Sequence, residues 1–127
     1  MTLSPNTTLG HYNIISKIGE GGMGEVYLAE DTRLHRRVAL KILPEHIAAD
    51  PSRLLRFERE AFAASSLNHP NILTIFEFGA VDHKHFLASE LVEGVSLRQL
   101  LSSGPVALNE TLAIAIQTAS ALHAAHR

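Results

Sequence analysis

The stretch Ile18–Val26 reads IGEGGMGEV, and its glycines at 19, 21 and 24 are followed at once by a strand pattern. G-x-G-x-x-G spacing serves more than one kind of phosphate site, so the residues after it decide. A dinucleotide-binding turn needs a helix after its last glycine, with the helix N-terminus facing the pyrophosphate. Here Glu25-Val26-Tyr27-Leu28-Ala29 has β-branched and aromatic members and no helical stripe. A Walker A loop needs Gly-Lys-Ser/Thr, and this chain has Gly24-Glu25-Val26. What remains is a glycine-tipped hairpin whose backbone N–H groups can donate to phosphate oxygens at close range. The plainer reading is a loose hairpin tip that binds nothing, because the spacing is common by chance.

Two features further along favour the phosphate reading. Val38-Ala39-Leu40-Lys41 sits in the next apolar run, and period two puts Ala39 and Lys41 on one face. An antiparallel pairing of the two runs brings Lys41 beneath the glycine tip. A lysine in an apolar strand is costly unless it is solvated or meets something negative. On the helix predicted over Arg53–Leu67, Glu60 stands at the edge of the stripe made by Leu54, Phe57, Ala61 and Ala64. Its local partner is Arg56, one turn earlier, in an i,i+4 pair contributing about 0.2–0.5 kcal/mol. Its alternative partner is Lys41, which would hold the ammonium towards phosphates.

The rest of the chain reads as α+β. Residues 1–10 form a polar leader, and strands are expected over Tyr12–Ile18, Glu25–Ala29, Arg37–Leu43, Ile72–Phe78 and His85–Leu91. Asp50-Pro51 opens the first helix, as an N-cap followed by proline at the first helical position. After Gly94 the pattern turns helical: Ser96-Leu97-Arg98-Gln99 has the form of a capping box, and a long helix runs from about Leu108. The expected organisation is therefore a leader (1–10), a nucleotide-binding lobe with its linker (11–94), and the first helices of a second lobe (95–127). A formal charge of -2 leaves no basic surface for nucleic acid. Cysteine is absent, which excludes disulfides and thiolate metal sites and fits a reducing, cytoplasmic compartment. The N-terminus lacks a signal-peptide pattern, and no run approaches the roughly 18 apolar residues of a spanning helix, so a soluble chain is expected. His83-x-His85 has no evident third ligand and reads as part of a solvated turn; no metal site is expected.

Taken together, Gly19–Val26, Val38-Ala39-Leu40-Lys41 and Glu60 resemble the nucleotide-binding lobe of a protein kinase, with Leu40 for isoleucine in the V-A-I-K strand. The Asn68-His69-Pro70-Asn71-Ile72 turn and the Ser89-Glu90-Leu91-Val92-Glu93-Gly94 linker extend the likeness. GEGGMGEVYLAED and FERE are similar to the eukaryotic-like serine/threonine kinases of bacteria, and the likeness runs from about Leu9 to Arg127. The resemblance implies a lobe of five antiparallel strands and one main helix, followed by the first two helices of a larger helical lobe. It implies that Gly19, Glu20, Gly21, Gly22, Met23 and Gly24 cover the phosphates of ATP, with Ile18 and Glu25 also in the ATP-binding site. Val26 and Ala39 would roof the adenine, and Lys41, held by Glu60, would contact the α- and β-phosphates. Backbone groups of Glu90 and Val92 would read the adenine edge, while Ser89 would gate the pocket behind it.

The family's catalytic loop H-R-D-x-x-x-x-N, its D-F-G and its A-P-E do not occur in this sequence. Asp31, Asp50 and Asp82 match none of those positions. The resemblance therefore implies ATP binding, with Mg²⁺ and phosphoryl transfer belonging to the full-length domain and the protein substrate unspecified. The other reading is a non-catalytic binding lobe. Either way, Leu112–Arg127 (LAIAIQTASALHAAHR) is apolar nearly all round and calls for a cover, a partner or a second copy.

Overall fold

The computed structural model describes residues 3–21 and 24–127. The chain divides into two compact units, one made of residues up to Ser66 together with Thr74–Leu91, the other of Leu67–Leu73 with Val92–Arg127.

The first unit is built on an antiparallel sheet. Its strands are β1 (Thr8–Leu9), β2 (Tyr12–Gly21), β3 (Gly24–Asp31), β4 (Arg36–Ile42), β5 (Ile75–Val81) and β6 (Lys84–Glu90). Their order is β1-β2-β3-β4-β6-β5, six strands where five were expected. The sixth is β1, two residues long, too short to carry a period-two pattern. Within the polar leader, Leu3 and Leu9 are buried in the core. Apolar burial outweighs the polar residues around them.

Alternation along the strands separates two faces. One face carries Tyr12, Ile14, Tyr27, Ala29, Val38, Leu40, Phe86 and Ala88, which form the core cluster. The sheet curls enough for its distant strands to meet on this side, where the Tyr12 hydroxyl donates to Glu77 Oε2 of β5 at 2.7 Å. Gly79 lies under the Phe86 ring, and a Cβ there would fall 2.7 Å from Phe86 Cζ. A two-residue turn joins β5 to β6, with Asp82 and His83 both left-handed at φ 50° and 66°, the geometry a tight hairpin favours.

Two helices complete this unit. The short α1 (Glu45–Ala48) was not legible in advance, and α2 (Pro51–Ser65) begins where expected. Asp50 caps α2 by accepting from the N–H groups of Ser52 and Arg53 at 3.0 and 3.3 Å, with Pro51 at the first position. The helix buries Ala61, and the Phe57 ring packs 5.6 Å from that of Phe78 on β5. Asp31 accepts from the N–H groups of Arg33 and Leu34, shaping the β3–β4 turn.

In the second unit, Ser96 and Gln99 form the expected capping box at the start of α3 (Leu97–Ser102). The long helix α4 spans Leu108–Ala125. The Asn68–Asn71 turn is tied to it: His69 Nε2 lies 3.0 Å from Ser120 Oγ, and the Asn71 amide donates to Gln117 at 3.4 Å. The expected strand start at Ile72 is instead a turn, with the Ile72 N–H on the His69 carbonyl at 3.1 Å. Only one α4 residue is buried, Ala124. Among the described residues no helix is long and apolar enough to cross a membrane.

Candidate functional site

The sheet face opposite the core is where the candidate residues gather. Directly paired residues in an antiparallel ladder share a face. The register pairs Val26 with Lys41 and Lys41 with Leu87, so these three form one row across β3, β4 and β6. A second row runs Leu28, Ala39, Ser89. The expected arrangement of Val26, Ala39 and Lys41 on one surface is therefore present. Lys41 is half-buried, and among the described residues it has no ion pair and no side-chain hydrogen bond. An ammonium on a partly apolar face without a protein counter-ion is suited to an anionic ligand.

The hairpin above this row closes by pairing Gly19 with Val26, Glu20 with Glu25 and Gly21 with Gly24. Gly22 and Met23, assigned from the sequence to the phosphate cover, lie outside the described residues. Gly24 has φ 113°, and a Cβ there would fall 2.0 Å from the Ile42 carbonyl oxygen. No L side chain fits both constraints. Ile18 is half exposed on the hairpin's outer strand.

At the other end, Ser89 is buried at 7% exposure, its hydroxyl donating to the Glu90 carbonyl at 3.3 Å. Glu90 is tied to Thr74 twice: its N–H donates to the Thr74 carbonyl at 2.9 Å, and its carboxylate accepts from the Thr74 N–H at 2.8 Å. Val92 is exposed and belongs to the second unit.

Glu60 is not brought to Lys41. Its side chain is 68% exposed and pairs with Arg56 Nε at 3.3 Å, the local i,i+4 partner. The reason lies in the placement of α2, which rests on β5 through Phe57 and Phe78, while β4 lies two strands away in the order β4-β6-β5.

Residues that sequence reasoning passed over stand behind the hairpin. Lys17 on β2 bonds the Glu20 carboxylate and lies 4.0 Å from Glu25. The Tyr27 hydroxyl donates to Glu25 and accepts from the Leu3 N–H at 2.8 Å. The hydrogen bond to Glu20 raises the Lys17 pKa above its ordinary value. Burial, then the bond to Glu25, raises that of Tyr27. Period two alone would put Lys17 and Glu20 on opposite faces of β2, and the register shift between Lys17 and Gly19 is not announced by any local pattern. Nothing local announced Leu3 as a partner of Tyr27.

Asp31, Asp50 and Asp82 each have a structural task, in a turn, a helix cap and a hairpin. His83 is a turn residue, and the His85 ring stacks near Phe78 at 6.3 Å. Among the described residues no group of three or more His, Asp or Glu side chains is arranged to hold a metal ion.

Comparison with known proteins identifies the arrangement. The profile of the protein kinase domain matches residues 12–127. The chain is 45% identical over 119 residues to the serine/threonine-protein kinase PrkC of Bacillus subtilis, covering 93% of this chain and 18% of that protein. It is 42% identical over 118 residues to PknD of Mycobacterium tuberculosis, again covering 92% of this chain and 18% of the relative. The crystal structure of the Mycobacterium tuberculosis PknI kinase domain superposes with a TM-score of 0.86 at 33% identity, covering 99% of this chain and 53% of that one. The chain thus spans about half of a solved kinase domain and about a fifth of its curated relatives.

Proposed function

This chain belongs to the protein kinase family, and on that premise we propose that it forms the ATP-binding portion of a serine/threonine protein kinase. The observation that carries the reading is Lys41: a half-buried ammonium with no counter-ion among the described residues, paired in register with Val26 at the base of the glycine hairpin. In this reading Lys41 donates to the α- and β-phosphates, and hairpin amides from Gly19 to Glu25 donate to the remaining phosphate oxygens. Val26, Ala39 and Ile18 enclose the adenine through apolar contact. Backbone groups of Glu90 and Val92 recognise its edge, and buried Ser89, being small, leaves space behind it. Glu60 exchanges Arg56 for Lys41 when nucleotide is present. ATP supplies the transferable phosphoryl group when bound.

Mg²⁺ and the catalytic aspartate belong to the full-length domain, because the family's motifs for them do not occur in this sequence. The chain alone therefore binds nucleotide without transferring phosphate to protein, in a cytoplasmic setting where ATP is available. The exposed side chains of α4 favour a second reading of this half, as a lobe that docks or dimerises through its last helix.

The first reading is tested by ATP-dependent thermal stabilisation of the chain and of Lys41→Met. The expected result is a shift in the parent that is lost in the variant, with both melting at the same temperature without ligand. Equal shifts in the two proteins would remove Lys41 from the site.

A further inference from the structure

Glu25, Tyr27 and Ala29 alternate onto the core face of β3, while Val26 and Leu28 face the candidate nucleotide site. The hairpin is thus held from behind by the side chains of Glu25 and Tyr27. Apolar packing there is incomplete: a cavity of about 540 Å³ lies against the hairpin, lined in part by Leu3, Gly21, Gly24, Glu25 and Ile42. With open volume at its back, the hairpin's position depends on polar contacts. The Tyr27 ring is fully buried and fixed in the core. Its hydroxyl uses both of its capacities, accepting from the Leu3 N–H at 2.8 Å and donating to Glu25, which faces Lys17 across the hairpin at 4.0 Å.

We propose that Tyr27 is a positioning residue that ties the N-terminal segment at Leu3 to Glu25 and so sets the height of the glycine hairpin over the phosphates. The proposal rests on the nucleotide reading for its consequence, and on the Leu3–Tyr27–Glu25 chain for its mechanism. A phenol anchored in the core is a rigid post. The hairpin is a two-strand projection ending in glycines, with little stiffness of its own. Displacing its glycine end costs the phosphate contacts more than the adenine contacts of Ile18, Val26 and Ala39, which lie nearer the body of the sheet.

The test is Tyr27→Phe in the whole chain, with two readouts. Without nucleotide, amide exchange at Gly21, Gly24 and Glu25 is expected to rise about tenfold, with Val38, Leu40 and Ala88 unchanged. Titration is expected to show ATP affinity reduced about three- to tenfold relative to adenosine affinity. Unchanged hairpin exchange, or a uniform rise through the sheet, overturns the positioning role. An unchanged ATP-to-adenosine ratio overturns its bearing on phosphate. If the parent chain binds neither ligand, the nucleotide reading fails, and the exchange result still decides whether Tyr27 sets the hairpin. Glu25→Ala removes the same link without orphaning the Leu3 N–H. It is expected to reproduce both effects should the phenylalanine variant not fold.

Discussion

Tyr12 and Tyr27 are the only tyrosines in the chain, and both are buried with their hydroxyls on carboxylates. For Tyr12, burial is the largest cause raising the pKa, followed by the hydrogen bond to and the charge of Glu77 and the charge of Asp31, against a smaller opposing effect of Arg36. A phenol whose pKa is higher in the folded state stabilises that state fully below its ordinary value of 10.0. That contribution is lost as pH rises beyond it. Stability should therefore fall above about pH 10, by at most about 1.4 kcal/mol per pH unit for each tyrosine. Lys17, raised by Glu20, acts in the same direction from an exposed position. Urea unfolding at pH 8 and at several values above 10 checks this. Tyr12→Phe should start less stable at pH 8, having lost a hydrogen bond to a carboxylate, and should then decline less steeply. A variant that declines as steeply as the parent would mean that Tyr12 does not carry the dependence.

The element that most needs to adjust is α2. In this structure Arg56 holds Glu60, and a pair of that kind is worth only about 0.2–0.5 kcal/mol. If nucleotide binding recruits Glu60 to Lys41, the Arg56 contact has to be given up first. Arg56→Gln should then improve ATP affinity about 1.5- to twofold, with adenosine affinity unchanged, by calorimetric titration. Weaker ATP binding in the variant would show that Arg56 supports the site instead of competing for Glu60. The same helix shows where sequence reasoning reaches its limit. Its start was legible because Asp50 and Pro51 act locally. β3 and β4 were legible to within a residue or two because alternation is a property of each strand alone. The Val26–Lys41 row followed from joining neighbouring strands. The position of α2 over the sheet was not legible, because it is set by Phe57 meeting Phe78, twenty-one positions away. In the sequence Tyr27 is simply a strand aromatic, since its partner Leu3 lies 24 positions away. The β1 and α1 segments are too short for any period to show.

At the scale of the whole molecule, the unsolved requirement is α4. Leu108, Leu112, Ile116 and Leu122 are exposed at 75, 53, 69 and 53%, on a helix where the sequence called for cover. Scattered apolar residues on a surface need no explanation, but several on one helix make a sticky patch. Nearly half of the solved PknI kinase domain lies outside the stretch this chain matches, and sequence of that kind is the proposed cover. Without it the chain should associate through α4, with a weight-average mass rising with concentration in sedimentation equilibrium. Joint substitution Leu112→Glu and Ile116→Glu places charges where association would have to bury them. The variant should sediment as a monomer over the same range. Its ATP-dependent thermal shift should not change, because the candidate residues from Ile18 to Glu90 lie in the other unit and Val92, in the unit of α4, is proposed to contribute only backbone groups. A parent chain that stays monomeric at every concentration would overturn association through α4. If the variant were monomeric but had lost its response to ATP, α4 would be needed for the nucleotide site itself, and the two units would have to be treated as one.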